Sequence, residues 1–346
     1  MIYKVLHVVR PVQGGIKKHL LVLLQGFNNK KYHCFLAAPP DHDLVSSLGP
    51  FARKIFSVPI AEGWYPARDW QVVRILCDII NKEKFDLVHT HGIRAGILGQ
   101  MAALLAGHRA VVATIHNSQN PRIPFFTFFR LLQALLYRVS VSHVIAVSEA
   151  LKGEIQKYEW MPAERITVIY NGIDYRVFKG YEAPRTLPPS FGLSRDLPVI
   201  GTAARLEPRK GIKYLIEAIP FVDKWYGPAY FIIVGDGPER ESLEGLVKKM
   251  NLSERVIFTG YRSDIPPLLS HFDLVVIPSI QEGLSIFCLE ALASGRAVIA
   301  TSVGGLPEII RNGRTGVLVP PADPVALAQA IGELLKNREL AVYLGR

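Results

Sequence analysis

Cysteine is scarce in this sequence. The three cysteines, Cys34, Cys77 and Cys288, are odd in number and far apart, and none belongs to a C-x-x-C pair. This spacing excludes a disulfide framework and a cysteine zinc site, because both need paired cysteines. We therefore expect a protein of the reducing cytoplasm.

Long apolar runs and low-complexity tracts are also missing. The most apolar stretch, residues 123–137, is too short to span a bilayer and carries Arg130. The first residues, MIYKVLHVVRP, are typical of a strand and lack the basic, apolar and small-residue regions of a signal peptide. With 49% hydrophobic and 20% charged residues, the chain carries too much apolar material to be disordered. Its 346 residues predict two globular domains.

Negative charge is scarce in the first half of the chain. Residues 1–180 hold 22 Lys and Arg against 12 Asp and Glu, whereas the remaining residues hold 18 of each, so the whole formal net charge of +10 lies in the first half. A basic half predicts an anionic partner, such as a nucleic acid, a membrane or a phosphorylated substrate. Solvated surface charge is the alternative.

Short β-branched runs alternate with helical patterns, and this alternation occurs twice. It is typical of βαβ units that form parallel sheets. A proline-rich stretch of weak periodicity, residues 179–197, is predicted to be a linker. We predict an α/β protein with two tandem Rossmann-like, doubly wound domains, residues 1–178 and 198–346, that face one another across a cleft. The predicted strands are residues 3–9, 33–38, 54–59, 87–90, 111–115, 143–147, 167–170, 199–203, 230–234, 256–258, 274–277, 297–300 and 316–319.

The strongest functional signal is a pair of glutamates, Glu282 and Glu290, eight residues apart after a predicted strand. In parallel sheets, ligands bind at the carboxyl ends of the strands. Ser285 is the predicted N-cap of the helix that carries Glu290, and Gly295 marks its end. The N–H groups at such a helix start suit a diphosphate, while Glu290 would suit a ribose diol and Glu282 the group beyond the phosphates. Two solvated helix charges are the alternative.

Two cations follow an earlier strand of the second half. Arg205 and Lys210 lie in a predicted loop before a helix, where they could neutralise a diphosphate leaving group. A pair of exposed loop cations is the alternative. Gly235, in a Gly-Asp-Gly-Pro turn after the next strand, permits close backbone approach to a ligand, although a tight turn explains it as well.

These motifs resemble the nucleotide-sugar-binding half of retaining glycosyltransferases of the GT-B fold, family 4. The resemblance rests on Arg205 with Lys210, the VGDGP turn, the Glu-x7-Glu pair, GGLPEII and GRTGVLVPPAD, which occur in family order over residues 200–325. The first half agrees more loosely, through Gly14-Gly15, HTHG at 89–92, TIHN at 114–117, AVS at 146–148 and NGID at 171–174. The resemblance thus covers most of the chain.

The resemblance implies a role for each matching residue of the second half. Arg205 and Lys210 would hold the donor diphosphate. Glu290 would bind the ribose, and Glu282 would contact hydroxyls of the transferred sugar. Contacts with the sugar, the phosphates and the base, largely through the backbone, are expected at Gly235, Tyr261, Arg262, Gly283, Leu284, Ser285 and Ile286.

In the first half, the resemblance implies that the Gly14-Gly15 turn approaches the donor and that Gly15 donates its N–H to the β-phosphate. His116 would touch the sugar near the reacting carbon, and a structural histidine at a strand end is the alternative. His89 and His91 are similar to family positions near the acceptor. A metal site at this histidine pair is not expected, because no carboxylate cluster accompanies it.

The reaction implied is the transfer of a hexose-type sugar from a UDP- or GDP-sugar to a hydroxyl of a saccharide or lipid-linked saccharide. It would occur with retention, in the synthesis of cell-surface polysaccharide or glycolipid. The family resemblance implies front-face substitution, in which the departing phosphate helps to deprotonate the acceptor, instead of the carboxylate nucleophile of retaining hydrolases. Because Arg205 and Lys210 would cover the leaving group, we expect no metal ion. We also expect no cofactor and no nucleic-acid partner.

Two features depart from the family pattern. Leu284-Ser285-Ile286 stands where many members have a further Gly or Pro, which affects the fit around the sugar. The chain ends at Arg346, where the family usually continues with a helix that crosses back onto the first domain. The second domain is therefore expected to lack that last crossover helix.

Three other functions fit a doubly wound chain. A dinucleotide-dependent oxidoreductase is disfavoured, since residues 10–16, RPVQGGI, hold no G-x-G-x-x-G after the first strand. A sugar-nucleotide epimerase shares the two-domain architecture but not the Glu-x7-Glu context. A non-catalytic, two-lobed sugar-binding protein would bind the sugar without turnover.

The apolar segment that starts at Arg122 suggests a further partner. It contains four phenylalanines, and its arginines, Arg122, Arg130 and Arg138, leave about half of a helical circumference apolar. A helix buried against the sheet explains this pattern. The alternative is a helix that lies on an anionic membrane together with Lys17 and Lys18 and presents the acceptor site to a lipid-linked saccharide. The protein would then be peripheral on the inner face of the membrane.

Overall fold

The chain divides into two compact units, Met1–Gly172 and Ile173–Arg346. The predicted linker lies, apart from Leu197, outside the described residues. The backbone alone is described at 124–130 and 159. The computed structural model describes residues 1–11, 14–27, 30–61, 63, 65–117, 124–159, 161–178 and 197–346.

The first unit contains a seven-stranded parallel sheet. Its strands are β1 (Tyr3–Val8), β2 (Tyr32–Ala38), β3 (Lys54–Ser57), β4 (Leu87–His91), β5 (Val111–Ile115), β6 (His143–Ala146) and β7 (Ile166–Val168). Their order in the sheet is β3-β2-β1-β4-β5-β6-β7. The chain therefore builds outward from β1 and then restarts on its other side at β4, which makes the β1/β4 boundary the switch point where ligands bind in such sheets.

Helices connect these strands in the βαβ manner. They are α1 (Gly15–Gly26), α2 (His42–Leu48), α3 (Pro66–Glu83), α4 (Ile93–Leu105), α5 (Pro124–Val139) and α6 (Glu149–Glu159). Among the described helices of the chain, none combines the length and apolar character that a bilayer crossing requires.

The second unit repeats the plan with six parallel strands. They are β8 (Val199–Ala203), β9 (Tyr230–Val234), β10 (Val256–Gly260), β11 (Leu274–Ile277), β12 (Ala297–Thr301) and β13 (Val317–Val319), in the order β10-β9-β8-β11-β12-β13. Here the switch point lies between β8 and β11. The helices are α7 (Ile212–Trp225), α8 (Arg240–Lys249), α9 (Ile265–Ser270), α10 (Ile286–Ala293), α11 (Leu306–Ile309), α12 (Pro324–Lys336) and α13 (Arg338–Gly345).

Strand β9 illustrates why these runs form buried strands. All five of its residues are buried, and alternate side chains enter two different cores. Phe231 and Ile233 pack in one core with residues of α7 and α12, whereas Ile232 and Val234 pack in the other with residues of α9. A strand covered on both faces must be apolar throughout, because its side chains alternate between two buried faces.

The α/β class and the doubly wound parallel sheets predicted from the sequence are confirmed. Each of the thirteen predicted strands corresponds to an observed one. The seventh was placed at residues 167–170 but ends at Val168, since its partner β6 ends at Ala146, whose carbonyl accepts the Ile169 N–H at 2.9 Å. The short helix α9 escaped the sequence prediction because prolines fill its first turn, where the missing N–H is tolerated.

Candidate functional site

Three loops meet at the carboxyl end of the second sheet, at its switch point. They follow β8, β11 and β12 and include residues 204–211, 278–285 and 302–305. Thr301, the last residue of β12, donates its hydroxyl hydrogen to the carbonyl of Ser279 at 2.5 Å. The backbone of the second loop is thereby held against the neighbouring strand.

Lys210 and Glu282 form an ion pair across this switch point. Lys210 Nζ lies 2.5 Å from Glu282 Oε2, and the side chains are 15% and 6% exposed. Ser279 Oγ donates a second hydrogen bond to the same carboxylate oxygen at 3.1 Å. The structure thus brings together two of the predicted site residues, with the charged ends of both largely shielded from water.

Backbone contacts fix this pair. The carbonyl of Arg209 accepts hydrogen bonds from the N–H groups of Ile280, at 2.8 Å, and Gln281, at 3.2 Å. Gly211 adopts a φ of 64°, and a Cβ there would lie 2.0 Å from the Pro278 carbonyl oxygen. Only glycine permits this approach, so the Lys210 turn and the Glu282 loop lie in direct contact.

The third loop packs against the backbone of Glu282 and Gly283. Gly305 N–H donates to the Gly283 carbonyl at 3.0 Å. Gly304 has a φ of 51°, and a Cβ there would lie 1.7 Å from the Glu282 carbonyl oxygen. A side chain at residue 304 would therefore displace the loop that carries Glu282.

We predict that Gly304→Ala disrupts this loop. Gly313→Ala is the matched control, because Gly313 also has a positive φ, 73°, but has no atom within 4 Å of an added Cβ. The control should lower the free energy of unfolding by about 1–2 kcal/mol, because alanine is strained in a left-handed conformation. Gly304→Ala should lower it by more. Urea unfolding measures both. Equal losses would contradict the close packing of Gly304 on Glu282.

Helix α10 begins at Ile286, four residues after Glu282. Ser285 is its N-cap, as predicted, and the Ser285 hydroxyl accepts a hydrogen bond from Cys288 N at 3.2 Å. The helix ends at Ala293 and is followed by Gly295 in a left-handed conformation, φ 70°, also as predicted. N–H groups of a first turn lack partners within the helix and carry partial positive charge, so this end of α10 attracts anions.

Two further side chains of α10, those of Glu290 and Cys288, are buried. Glu290 is 4% exposed, which does not fit the alternative of a solvated helix charge. Burial, and to a lesser extent the charge of Glu282, raises the pKa of the Cys288 thiol to about 12. Cys288 therefore stays protonated near neutral pH and is not suited to act as a nucleophile.

The remaining predicted residues of this unit lie around the three loops. Arg205 is exposed in the loop after β8. Gly235 follows β9 with a φ of 130°, and a Cβ there would lie 1.9 Å from the Ala204 carbonyl oxygen, so backbone packing alone requires glycine. Arg262 follows the edge strand β10 and holds Asp264 through two hydrogen bonds of 2.8 and 2.6 Å. Its guanidinium therefore already has a partner. Two strands, β9 and β8, lie between β10 and β11, the strand that precedes the Glu282 loop.

In the first unit, the predicted residues lie at the carboxyl end of the other sheet. Gly14 is the N-cap of α1 with a φ of 66°, and Gly15 is the first residue of that helix. Both are exposed. His116 follows β5 and is buried, with 6% of its surface exposed. Burial is the main reason that its pKa lies well below the ordinary value, so its imidazole is neutral.

Sequence reasoning missed two histidines and one acidic pair. His7 and His19 approach the predicted His89, His91 and His116, as detailed below. His7 lies directly opposite His89 in the β1/β4 ladder, so the strand pairing is the signal that could have placed His7 in this group.

A D-x-D spacing exists at residues 41–43. There, Asp41 caps α2 and Asp43 pairs with Lys17 at 2.6 Å, so both carboxylates have structural partners.

Family models match both units. The model described as glycosyl transferases group 1 matches residues 197–337, and the model described as Glycosyltransferase Family 4 matches residues 13–177. Together the two matches span most of the chain.

Similar proteins cover nearly the whole chain. The Escherichia coli UDP-Gal:alpha-D-GlcNAc-diphosphoundecaprenol alpha-1,3-galactosyltransferase is 27% identical over 351 residues, covering 98% of this chain and 89% of that protein. An uncharacterised glycosyltransferase of Methanocaldococcus jannaschii is 30% identical over 346 residues, covering 96% and 88%. The crystal structure of Anabaena HepE in complex with UDP-glucose superposes with a TM-score of 0.85 at 23% identity, covering 99% and 92%. The chain therefore belongs to the group 1, family 4 glycosyltransferases and has their GT-B fold.

Proposed function

We propose that this protein is a retaining glycosyltransferase that moves a hexose-type sugar from a nucleoside-diphosphate sugar to a saccharide or lipid-linked saccharide hydroxyl. The observation that carries the proposal is the Lys210–Glu282 pair at the start of α10. It combines a cation and helix N–H groups, which suit a diphosphate, with a carboxylate that suits sugar hydroxyls. Synthesis of cell-surface polysaccharide or glycolipid is the setting we infer.

Donor binding, in this proposal, rearranges the ion pair. Lys210 and Arg205 contact the diphosphate, and Lys210 can keep Glu282 as a second partner because an ammonium group has three donors. Glu282 accepts hydrogen bonds from hydroxyls of the transferred sugar, and Glu290 accepts them from the ribose diol. His116 retains the role implied by the family resemblance, contact with the sugar near its reacting carbon.

The chemical step is front-face substitution. The bond between the anomeric carbon and the diphosphate oxygen breaks, and the acceptor oxygen bonds to the same face of that carbon. The acceptor proton passes to the departing diphosphate oxygen. Lys210, Arg205 and the α10 N–H groups stabilise the negative charge that develops on the leaving group. This mechanism calls for no cofactor and no divalent metal ion at the diphosphate.

UDP-sugars are our first choice of donor, and GDP-sugars the second. The name of the E. coli relative contains a UDP-sugar and a diphosphoundecaprenol-linked acceptor, and the Anabaena structure holds UDP-glucose. These names support a panel of UDP- and GDP-hexoses and N-acetylhexosamines with lipid-linked and free saccharide acceptors.

Nucleoside diphosphate release from that panel, together with thermal stabilisation, tests the proposed function. We expect one donor to stabilise the protein and to release its nucleoside diphosphate, faster when a suitable acceptor is present. Conversion of the donor sugar without release would indicate an epimerase. Stabilisation without any conversion would indicate a sugar-binding protein.

We further propose that helix α5 contacts an anionic membrane. Its described side chains form two faces: Ala134, Leu136 and Tyr137 are buried, whereas Leu131 and Leu135 are 52% and 57% exposed. Exposed leucines four residues apart lie on one helix face. The predicted cations Arg122 and Arg130 are outside the described residues and the described side chains, respectively.

Two arginines, Arg138 and Arg109, lie at one end of this exposed face. Arg138 follows the leucines on α5, and it lines a surface cavity together with Val139, Leu104 and Arg109. Lys17, which was predicted to contribute, pairs with Asp43 instead and is only 13% exposed. An apolar stripe beside arginines is suited to the interface of an anionic bilayer.

Replacing both leucines with glutamate is predicted to abolish binding to anionic vesicles. The matched control is Val342→Glu with Tyr343→Glu, because these residues are similarly exposed, at 53% and 59%, on α13. Co-sedimentation at low salt should show that the wild type and the control bind phosphatidylglycerol vesicles and that neither binds neutral ones. Binding that survives Leu131→Glu/Leu135→Glu would place the membrane contact elsewhere.

A further inference from the structure

Five histidine rings gather at the carboxyl end of the first sheet, at its own switch point. His7 lies on β1, His89 and His91 on β4, and His116 after β5, while His19 reaches the group from α1. The ring centroids of His89 and His91 are 4.2 Å apart, and those of His19 and His116 are 4.7 Å apart. The group holds half of the ten histidines of the chain.

Two overlapping triads within this group have the spacing of metal ligands. They are the His7 triad (His7, His89 and His91) and the His19 triad (His19, His91 and His116). In each, one ring nitrogen per residue lies within 4.8 Å of the other two. A tetrahedral ion with metal–nitrogen bonds of about 2.0–2.1 Å places neighbouring ligand nitrogens about 3.3 Å apart. The nitrogens of either triad would therefore have to approach one another by at most about 1.5 Å to hold such an ion.

Hydrogen bonding distinguishes the two triads. In the His7 triad, His7 Nδ1 and His91 Nε2 already bond to each other at 3.1 Å, and His89 Nε2 bonds to the Thr114 hydroxyl at 2.7 Å. His7 Nε2 and His91 Nδ1 are buried and have no partner among the described residues, but no nitrogen of His89 is left in that state. In the His19 triad, every ring keeps a buried nitrogen that has no hydrogen-bond partner among the described residues. These unpartnered atoms are His19 Nε2, His91 Nδ1 and His116 Nε2.

The outer nitrogen of His91 is supported, because His7 Nδ1 bonds to its Nε2 at 3.1 Å. Such contacts orient metal-binding imidazoles and raise their affinity. His91 and His116 are 1% and 6% exposed, whereas His19 is only half-buried, which leaves an approach from solvent.

The protonation state of the rings also suits a metal ion. Burial is the main cause that lowers the pKa of His19 to about 4, and it holds the pKa of His91 well below its ordinary value. The rings are therefore neutral near pH 7, and a neutral imidazole offers a lone pair to a cation. An unpaired buried nitrogen costs free energy, which coordination would recover.

We propose that His19, His91 and His116 form a binding site for one Zn²⁺ ion. Three imidazoles with a fourth position for water are a common zinc environment, and imidazole prefers such borderline ions to Mg²⁺ or Ca²⁺. The site is distinct from any diphosphate-bound metal, since its ligands are nitrogens of the first unit. Because His116 is also the ring proposed to contact the sugar, a bound ion would withdraw it from the donor; this consequence, but not the site, rests on the proposed function.

Titration of the metal-free full chain tests the site without donor or acceptor. Zn²⁺ binding is measured by calorimetry, and Co²⁺ binding is measured by the visible absorption of tetrahedral cobalt. We expect one equivalent of each ion to bind, with competition between them. Absence of saturable binding in the wild type would overturn the proposal.

Three variants locate the ion. His19→Gln, chosen because its ring is the least buried of the triad, is expected to weaken Zn²⁺ binding by on the order of 100-fold or more, since even outer-shell losses cost about 10–100-fold. His89→Gln, which alters only the His7 triad, and the exposed control His42→Gln should bind as the wild type does. Circular dichroism verifies folding. Loss of binding in His89→Gln but not in His19→Gln would assign the ion to the His7 triad and overturn the proposal.

Discussion

Lys210→Ala is expected to lower the turnover of the donor sugar nucleotide by about 100- to 1,000-fold, the loss typical of one preorganised charge-stabilising donor. Lys210 faces Glu282 at 2.5 Å at the start of α10, so its ammonium group is held where we propose that the leaving group develops charge. Arg205→Ala should act in the same direction, since both cations would share the diphosphate. Nucleoside diphosphate release under saturating donor is the measurement.

The matched control for this prediction is Lys213→Ala. Lys213 lies three residues further along, on α7, where it is 59% exposed and pairs with Glu217 at 3.5 Å. Such a surface contact is worth about 0–1 kcal/mol. It should keep wild-type turnover. Because Lys210→Ala also leaves Glu282 buried without its cation, Lys210→Arg and thermal unfolding are needed to separate loss of folding from loss of function. Wild-type turnover in a folded Lys210→Ala protein would show that the diphosphate binds elsewhere.

Glu290→Ala and Glu282→Gln are expected to change different kinetic parameters. Glu290 is proposed to hold the ribose, which is bound equally in the ground state and the transition state, so its loss should raise KM by about 10-fold or more and leave kcat nearly unchanged. Glu282 is proposed to hold the sugar being transferred. Glu282→Gln should therefore lower kcat by about 10-fold or more with little change in KM.

Initial rates over a range of donor concentrations measure this split, and UDP affinity gives a second readout. Glu290→Ala should weaken UDP binding, whereas Glu282→Gln should not, because UDP has no transferred sugar. The exposed Glu241→Ala on α8 is the control. Equal, small effects of Glu290→Ala and Glu282→Gln would contradict the roles assigned to both residues.

Local signals in the sequence predicted the elements of the site. Ser285 and Gly295 mark the ends of α10 through side-chain capping and a left-handed turn, which depend only on nearby residues. The parallel strands could be predicted for the same reason, since strands buried on both faces are apolar throughout.

Long-range contacts explain what the sequence could not predict. The partners Lys210 and Glu282 are 72 positions apart, and their pairing depends on the strand order that places β8 beside β11. His7 and His19 are single histidines on a strand and a helix, so no local spacing distinguishes them. Their proximity to His91 follows from the register of β1 against β4 and from the packing of α1.

The most direct test of the proposed retaining transfer is proton NMR of the reaction with the donor that stabilises the protein. The spectrum follows the anomeric proton of the donor, of the newly formed product and of the released nucleoside diphosphate at the same time. We predict that an α-linked donor gives an α-linked product as the first species formed, together with one equivalent of nucleoside diphosphate. A first-formed product of β configuration, or nucleoside diphosphate release without sugar transfer to any acceptor, would contradict the account.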